Sequence, residues 1–312
     1  MAIACAASGR GIVDAARRAS ADLVFPTMLP LGAESIPRVG YLFDFQHRQM
    51  PELFSKRTRR NRDRRFARLA ADTDAVIVYA KATANDATRF LGLSPERIMT
   101  LPYAPHAHSW WFDLDPADAR ARHGIGTHYL MVSNHFWKHK DHATALLAFA
   151  LLRDQRPDLD LQLVLTGDPI DHRDPRHYGS LLDLSKELGV AGHAHFLGLV
   201  PKQDQLALLR GSLALLQPTL FEGGPGGGAV YEAIGLGVPS VVSDIPVNLE
   251  IDQGDVRFFR ARDAADLAAQ TARVIAEQPT RPGREALLAK GDANLARLGT
   301  AITDYLAGIQ AR

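Results

Sequence analysis

The sequence predicts an α/β fold of doubly wound type, with parallel sheets divided between two domains. Three observations carry that prediction. The chain has 312 residues, more than one hydrophobic core usually takes. Short apolar runs alternate with helix-like segments, the rhythm of β-α-β units. That rhythm stops after residue 101 and restarts at Tyr129, and P-Y-A-P (residues 102–105) with the His- and Trp-rich run 106–111 reads as a hinge between the two halves.

In order, residues 11–20 read as a helix, 22–26 as a short strand and 39–43 as a strand ending at D-F-Q-H. Pro51 occupies a favoured first-turn position, so a helix is expected from there through residue 68. A-V-I-V-Y (75–79) is a buried-type strand, 81–91 a helix and 98–101 a strand. In the second half the expected strands are 129–132, 161–165, 195–197, 213–216, 238–243 and 257–259. Helices are expected at 143–152, 177–188 (with Gly189 as C-terminal cap), 203–210, 229–236, 263–277 and 285–306. This half is a complete doubly wound domain by pattern. The expected division is 1–110, 111–285 and a C-terminal helix, 286–312, that packs back on the first domain.

Composition excludes several classes. A chain that is 46% hydrophobic and 23% charged is ordinary globular material. A net charge of +1 gives no bulk drive toward nucleic acid or membrane. The single cysteine, Cys5, excludes internal disulfides and cysteine-built zinc sites and suits a reducing cytosol. Residues 1–11 make a poor signal peptide, and no apolar run reaches the length of a membrane span.

The most informative stretch is T-L-F-E-G-G-P-G-G-G-A-V-Y-E, residues 219–232, with two glutamates and five glycines. Glycines let a ligand approach the backbone without interference from Cβ. At the start of a helix, free N–H groups and the helix dipole favour anions such as phosphate. Glu222 and Glu232 can add hydroxyl recognition at either end. Phosphate plus hydroxyls suggests a nucleotide or nucleotide-linked sugar; the blander reading is a surface loop.

Other features carry two readings each. His47, just past a strand end, is a candidate base or substrate contact, and equally a loop histidine beside a capping Asp44. Residues 55–68 hold eight Lys or Arg, beginning at Lys56 and ending at Arg68. They read first as a solvated helix face with Leu53, Phe66 and Leu69 inward, and second as a contact for an anionic membrane. Without interleaved aromatics, nucleic acid is not expected. His106 and His108 lack partners at metal-ligand spacing. Gly224-x-Gly226-x-x-Ala229 with Asp244 is a degenerate dinucleotide fingerprint, but residues 218–222 intervene after the strand and several β-α units precede it. P-loop, G-x-S-x-G and H-E-x-x-H motifs are absent.

Four blocks now carry a resemblance: S-N-H-F-W-K-H-K-D-H (133–142), L-V-L-T-G (163–167), F-L-G-L-V-P (196–201) and residues 218–248 around the glycine loop. In order and spacing they resemble a family 4 retaining glycosyltransferase of the GT-B fold. Y-L-F-D-F-Q-H-R-Q-M-P-E-L-F-S (41–55) is similar to a bacterial subgroup that includes mannosyltransferase-like enzymes. The resemblance implies two Rossmann-like domains facing a cleft, a GDP- or UDP-hexose donor and no cofactor. It also implies a glycan or lipid-linked acceptor and a cytoplasmic enzyme, at the inner face of the membrane if the basic stretch binds there. Lys140 matches the lysine on the donor diphosphate, with Asn134 and Lys138 beside it. Glu222 matches the glutamate facing the sugar hydroxyls, Glu232 the one on the ribose. Gly223, Gly224, Gly226, Gly227 and Gly228 would lie against sugar and diphosphate, and His47 would face the acceptor. No Asp-x-Asp stands on a strand-end loop; Asp113-Leu114-Asp115 lies in the hinge, so metal independence is expected.

The chain departs from the family in three ways. Nine residues, not seven, separate the glutamates. The family arginine falls near Asn134. The N-terminal domain is short or truncated, with Gly9-Arg10-Gly11 a poor substitute for the glycine loop expected near its start. The alternatives are a nucleotide-sugar epimerase of the same fold and a non-catalytic nucleotide-sugar-binding protein.

Overall fold

Strands form where short β-branched runs can be buried on both faces. The computed structural model describes residues 9–30 and 36–310; Cys5 and the remainder of 1–8 lie outside the described residues. The chain divides into two units, one up to Tyr103 together with the residues from Ala296, the other Ala104–Leu295.

The first unit runs α1 (Gly9–Arg18), β1 (Val24–Thr27), β2 (Arg38–Tyr41), α2 (Gln46–Gln49), α3 (Lys56–Asp72), β3 (Ala75–Val78), α4 (Lys81–Leu91) and β4 (Ile98–Thr100). Its sheet is parallel in the order β1-β2-β3-β4. In β3 the side chains alternate, as the pleat requires. Val76 and Val78 pack with Leu42, Phe66, Leu69 and Ala87 under α3 and α4. Ile77 turns to the opposite face with Val39, Met99 and Leu101. That face is covered by Leu298, Ile302 and Tyr305 of the C-terminal helix, so the sheet is sandwiched as parallel sheets must be.

Gly9 and Gly11 belong to α1 and form no glycine loop, in line with the reading of Gly9-Arg10-Gly11 as a poor substitute for one. One local expectation fails here. Pro51 opens only a single 3-10 turn, Pro51–Leu53. The backbone then extends at Phe54, and Ser55 starts α3 afresh, its Oγ accepting from the Thr58 N–H at 3.1 Å. A side-chain cap of this kind contributes about 1 kcal/mol, enough to set the start at Ser55 instead of Pro51.

The second unit runs α5 (Pro116–His123), β5 (Tyr129–Ser133), α6 (His142–Gln155), β6 (Gln162–Thr166), α7 (His177–Glu187), β7 (Ala194–Gly198), α8 (Lys202–Gly211), β8 (Ala214–Gln217), α9 (Gly227–Gly235), β9 (Ser240–Ser243), β10 (Val256–Phe259) and α10 (Ala264–Glu277). The last helix, α11 (Arg284–Gln310), begins in this unit and ends in the first. The sheet is parallel throughout, ordered β10-β9-β8-β5-β6-β7. The order reverses between β5 and β8, which is where open α/β sheets bind ligands.

The segment read as a hinge packs, from Ala104 on, within the second unit. His106 Nδ1 lies 2.9 Å from the Tyr231 hydroxyl, and Asn294 donates to the Pro105 carbonyl at 2.7 Å. Arg210 donates to the carbonyls of Phe112 (2.6 Å) and Leu114 (2.8 Å). Asp115 caps α5 through the Ala117 N–H at 2.7 Å, and Asp113 pairs with Arg284 at 2.6 Å. Both aspartates of the Asp-x-Asp string therefore have structural partners.

Candidate active site

The site is built at the carboxyl ends of β5, β6 and β8, where Ser133, Thr166 and Gln217 are the last strand residues. After β5 the chain turns across the sheet edge. The Asn134 N–H donates to the Thr166 carbonyl at 3.0 Å. This approach is so close that a Cβ on Gly167, whose φ is +142°, would stand 2.1 Å from the Asn134 carbonyl oxygen. Only glycine fits there, and its absent side chain lets the turn after β5 pass directly over the end of β6.

A 3-10 turn, Lys138–Lys140, follows and separates its two lysines. Lys140 turns inward: its Nζ lies 2.5 Å from Glu222 Oε1, with side-chain exposures of 12% and 10%. Lys138 turns outward to Asp174, at 3.5 Å. Between them His139 is buried, and burial, with the charges of Lys140 and Arg173, lowers its pKa to about 3. The His139 carbonyl accepts from the Leu220 N–H at 2.8 Å, tying this turn to the start of the glycine loop.

The loop brings Glu222 back onto Lys140 despite its extra length. Gly226 and Gly227 are both left-handed (φ +67° and +64°), and a Cβ on Gly227 would lie 2.9 Å from Glu222 Oε2. The carboxylate thus occupies space that a side chain at 227 would take. Gly226 caps α9 without a side-chain bond, and Gly228 and Ala229 line the cavity at its first turn. N–H groups in a first turn have no intrahelical acceptor. One turn on, Glu232 is held by Lys202 Nζ at its Oε1 and by Gln205 Nε2, at 3.0 Å, at its Oε2. Gln205 Nε2 also donates to Ser133 Oγ at 3.0 Å.

These groups surround a cavity of about 420 Å³ whose lining includes Asn134, Trp137, Lys140, Gly167, Leu199, Lys202, Gln205, Gly228 and Glu232. It joins an apolar side, a cationic side, first-turn helix N–H groups and one carboxylate, Glu232, paired with Lys202, while Glu222 stands behind Lys140. That combination suits an anionic ligand that also carries hydroxyls.

Of the residues expected from sequence, Asn134, Lys140, Gly228 and Glu232 line the cavity, and Glu222 stands on Lys140. Gly223, Gly224, Gly226 and Gly227 form the loop behind it. Lys138 is not in the lining. His47 lies in the first unit, in α2, only 1% exposed, with Nε2 2.9 Å from Asp63. Burial among Phe45, Phe54 and Phe66 lowers its pKa, against the pull of Asp63. Asp44 accepts from the Gln46 N–H at 2.8 Å in a turn just before α2; the N-cap itself is Phe45, without a side-chain bond, so the helix-capping role expected of Asp44 is not the one it plays. Asp244, the acid of the dinucleotide alternative, accepts from the Ala261 N–H at 2.9 Å and is not part of the lining. Among the described residues no group of three or more His, Cys, Asp or Glu side chains is arranged to hold a metal ion.

Sequence reasoning missed Lys202, Gln205 and Gln217. A signal existed for each. Lys202 and Gln205 are three apart at the start of a helix, so they share a face. Gln217 is a polar residue closing an apolar strand run at a strand's carboxyl end.

The model of the family described as "Glycosyl transferases group 1" matches residues 117–286. Among solved structures, HepE from Anabaena, in complex with UDP, superposes with a TM-score of 0.72 at 16% identity, over 97% of this chain and 82% of that one. Sucrose-phosphate synthase from Thermosynechococcus elongatus gives 0.65 at 17%, over 94% and 72%. WaaG, a glycosyltransferase of lipopolysaccharide biosynthesis, gives 0.60 at 18%, over 93% and 76%. At these identities the likeness shows the fold, that of GT-B glycosyltransferases. No curated protein matches the sequence.

Proposed function

This chain belongs to the glycosyl transferases group 1 family, and we propose that it moves a hexose from a nucleoside diphosphate sugar to a glycan or lipid-linked acceptor, with retention of configuration. The observation that carries this reading is the pairing of Lys140 with Glu222 at the sheet's switch point, beside a cavity that Lys140 lines together with a second carboxylate, Glu232 of α9. The second unit is the donor domain and the first the acceptor domain.

The roles follow from charge. Breaking the bond between sugar and diphosphate leaves negative charge on the departing phosphate. Lys140 and the N–H groups that open α9 stabilise that charge without a metal. Glu222 accepts hydrogen bonds from the sugar hydroxyls, and Glu232 from the ribose. Asn134 and the glycine loop close around the diphosphate. A uridine donor is supported by the UDP bound to HepE, and GDP-mannose by the subgroup resemblance of residues 41–55.

No helix among the described residues is long and apolar enough to cross a membrane. We place the enzyme in the cytoplasm, with α3 as its contact to the inner membrane face. A thermal-shift panel of nucleotide sugars tests the donor, because a ligand at 100 times its dissociation constant adds about 2.7 kcal/mol. Stabilisation by one donor, followed by sugar transfer with the anomeric configuration kept, is the expected result. No shift with any nucleotide sugar overturns the reading.

A further inference from the structure

The glycine loop is tied from behind by a residue with no place in the reading above. Gln217 is wholly buried (0% exposed) in a strand whose other members are Ala214, Leu215 and Leu216. Its Oε1 accepts from Asn134 Nδ2 at 2.6 Å. Its Nε2 donates to the Gly226 carbonyl at 2.9 Å and to Glu222 Oε1 at 3.1 Å. An amide nitrogen has two hydrogens, and both are used here. On the other side of the same loop, the Gly226 N–H donates to Asn248 Oδ1 at 3.0 Å, and Asn248, also 0% exposed, is anchored on the Ser243 carbonyl at 3.0 Å. Gly226 is gripped through both its N–H and its carbonyl by two buried amides.

We propose that Gln217 is the positioning residue of the donor site, setting the Glu222 carboxylate and the start of α9 in one register from behind the loop. The proposal rests on the donor-site reading of the cavity. It accounts for two facts. The loop holds two more residues than the family spacing, yet Glu222 still meets Lys140, because the surplus is absorbed in a bulge pinned at Gly226. Asn134, near which the family arginine falls, spends an N–H on Gln217, fixing the orientation of that amide. Glutamine is the one fitting side chain of its length. Leucine would leave Asn134 Nδ2 and the Gly226 carbonyl short of a partner. A glutamate would set one carboxylate against two acceptors, Glu222 Oε1 and the Gly226 carbonyl, and would restore one contact only by taking up a proton.

The test uses Gln217→Leu and Gln217→Glu in the full chain. Without any ligand, backbone amides of residues 219–228 are expected to exchange about tenfold faster in Gln217→Leu, with those of β5 and β6 unchanged. With the donor found by the panel, kcat is expected to fall about 100-fold while the donor KM moves little, the signature of a misplaced reacting group. In Gln217→Glu, turnover relative to the parent is expected to recover as pH is lowered from about 7.5 to about 5.5, as the new carboxyl takes up its proton. A merely structural role would lower the folded fraction and leave kcat per folded molecule and the pH profile unchanged; that result overturns the proposal. Unchanged loop exchange overturns it also. Faster loop exchange in a protein that binds and transfers no nucleotide sugar upholds the clamp and removes the donor reading instead.

Discussion

The Lys140 ammonium stands 2.5 Å from the Glu222 carboxylate, and both side chains are about nine-tenths buried. Each partner keeps the other from being an unpaired buried charge. Truncating either therefore disturbs folding as well as chemistry, and the cleaner variants keep the shape. Glu222→Gln is expected to fold, to bind nucleotide and to lose most turnover; Glu222→Ala should lose most turnover too, with a loss of stability beside it. Lys140→Ala is expected to weaken donor binding by about 10- to 100-fold, the value of a charge-assisted hydrogen bond. Calorimetry on folded protein and a transfer assay check both. Normal turnover in both variants would sink the site assignment.

Gly227 and Gly228 are neighbours with opposite requirements. Gly227 has a φ of +64° and would drive a Cβ to within 2.9 Å of Glu222, whereas a Cβ on Gly228 meets nothing within 4 Å. Gly227→Ala is expected to cost about 1–2 kcal/mol for the left-handed backbone and to dislodge the carboxylate. Gly228→Ala sits in the first turn of a helix and is expected to gain about 0.5–1 kcal/mol, while its methyl projects into the cavity and weakens donor binding. Urea titration with donor titration separates the two. A Gly228→Ala protein that binds donor like its parent would show that the ligand does not approach α9.

Stability should fall in acid through two histidines of the second unit. His139 and His142 are lowered from 6.5 to about 3, both chiefly by burial. The His142 ring is wholly buried and stacked on Phe136 at 4.6 Å. The folded protein holds both rings neutral, while the unfolded chain protonates them near the ordinary value. Their contribution is complete above about pH 6.5 and drains away toward pH 3 at about 1.4 kcal/mol per pH unit for each ring. His142→Phe removes one proton from this linkage and should make the pH dependence shallower by that amount. Urea denaturation at several pH values measures the slope, and an unaltered slope would refute the linkage.

Helix α4 falls on the residues the sequence predicts, Lys81–Leu91, because its apolar periodicity is local and Gly92 ends it in a left-handed cap. The candidate site was legible for a related reason: Lys140 and Glu222 stand in the loops that follow β5 and β8, Glu232 in the helix that the second loop opens, and strand ends can be read from short apolar runs. Other features were hidden. The bond from Asn134 to Gln217 spans 83 residues, and nothing in either neighbourhood announces it. Helix α5, Pro116–His123, was not anticipated; it lies against α8 through the Arg122–Asp204 ion pair at 2.6 Å, not by its own periodicity. The false start at Pro51 arose because proline signals a first turn but says nothing of its length, while the stronger cap stood four residues on at Ser55.

Arg57, Arg60, Arg64 and Arg68 are exposed on α3, opposite the buried Phe66, Leu69 and Ala70, and have no ion-pair partner among the described residues. Spacings of three and four put them in one stripe about 16 Å long. Arg62, by contrast, is bound to Asp44 at 2.7 Å and lies over the Phe43 and Phe54 rings, so it belongs to the fold. The free stripe is what separates a membrane contact from an ordinary solvated face, since each arginine near an anionic surface contributes about 1 kcal/mol. Wild-type protein is expected to sediment with vesicles containing anionic phosphatidylglycerol at low salt, and not with neutral ones. Replacing the four arginines by glutamine should lower that binding by about 1000-fold and leave donor binding in the second unit unchanged. Equal recovery of parent and variant with anionic vesicles would return α3 to the role of a solvated surface.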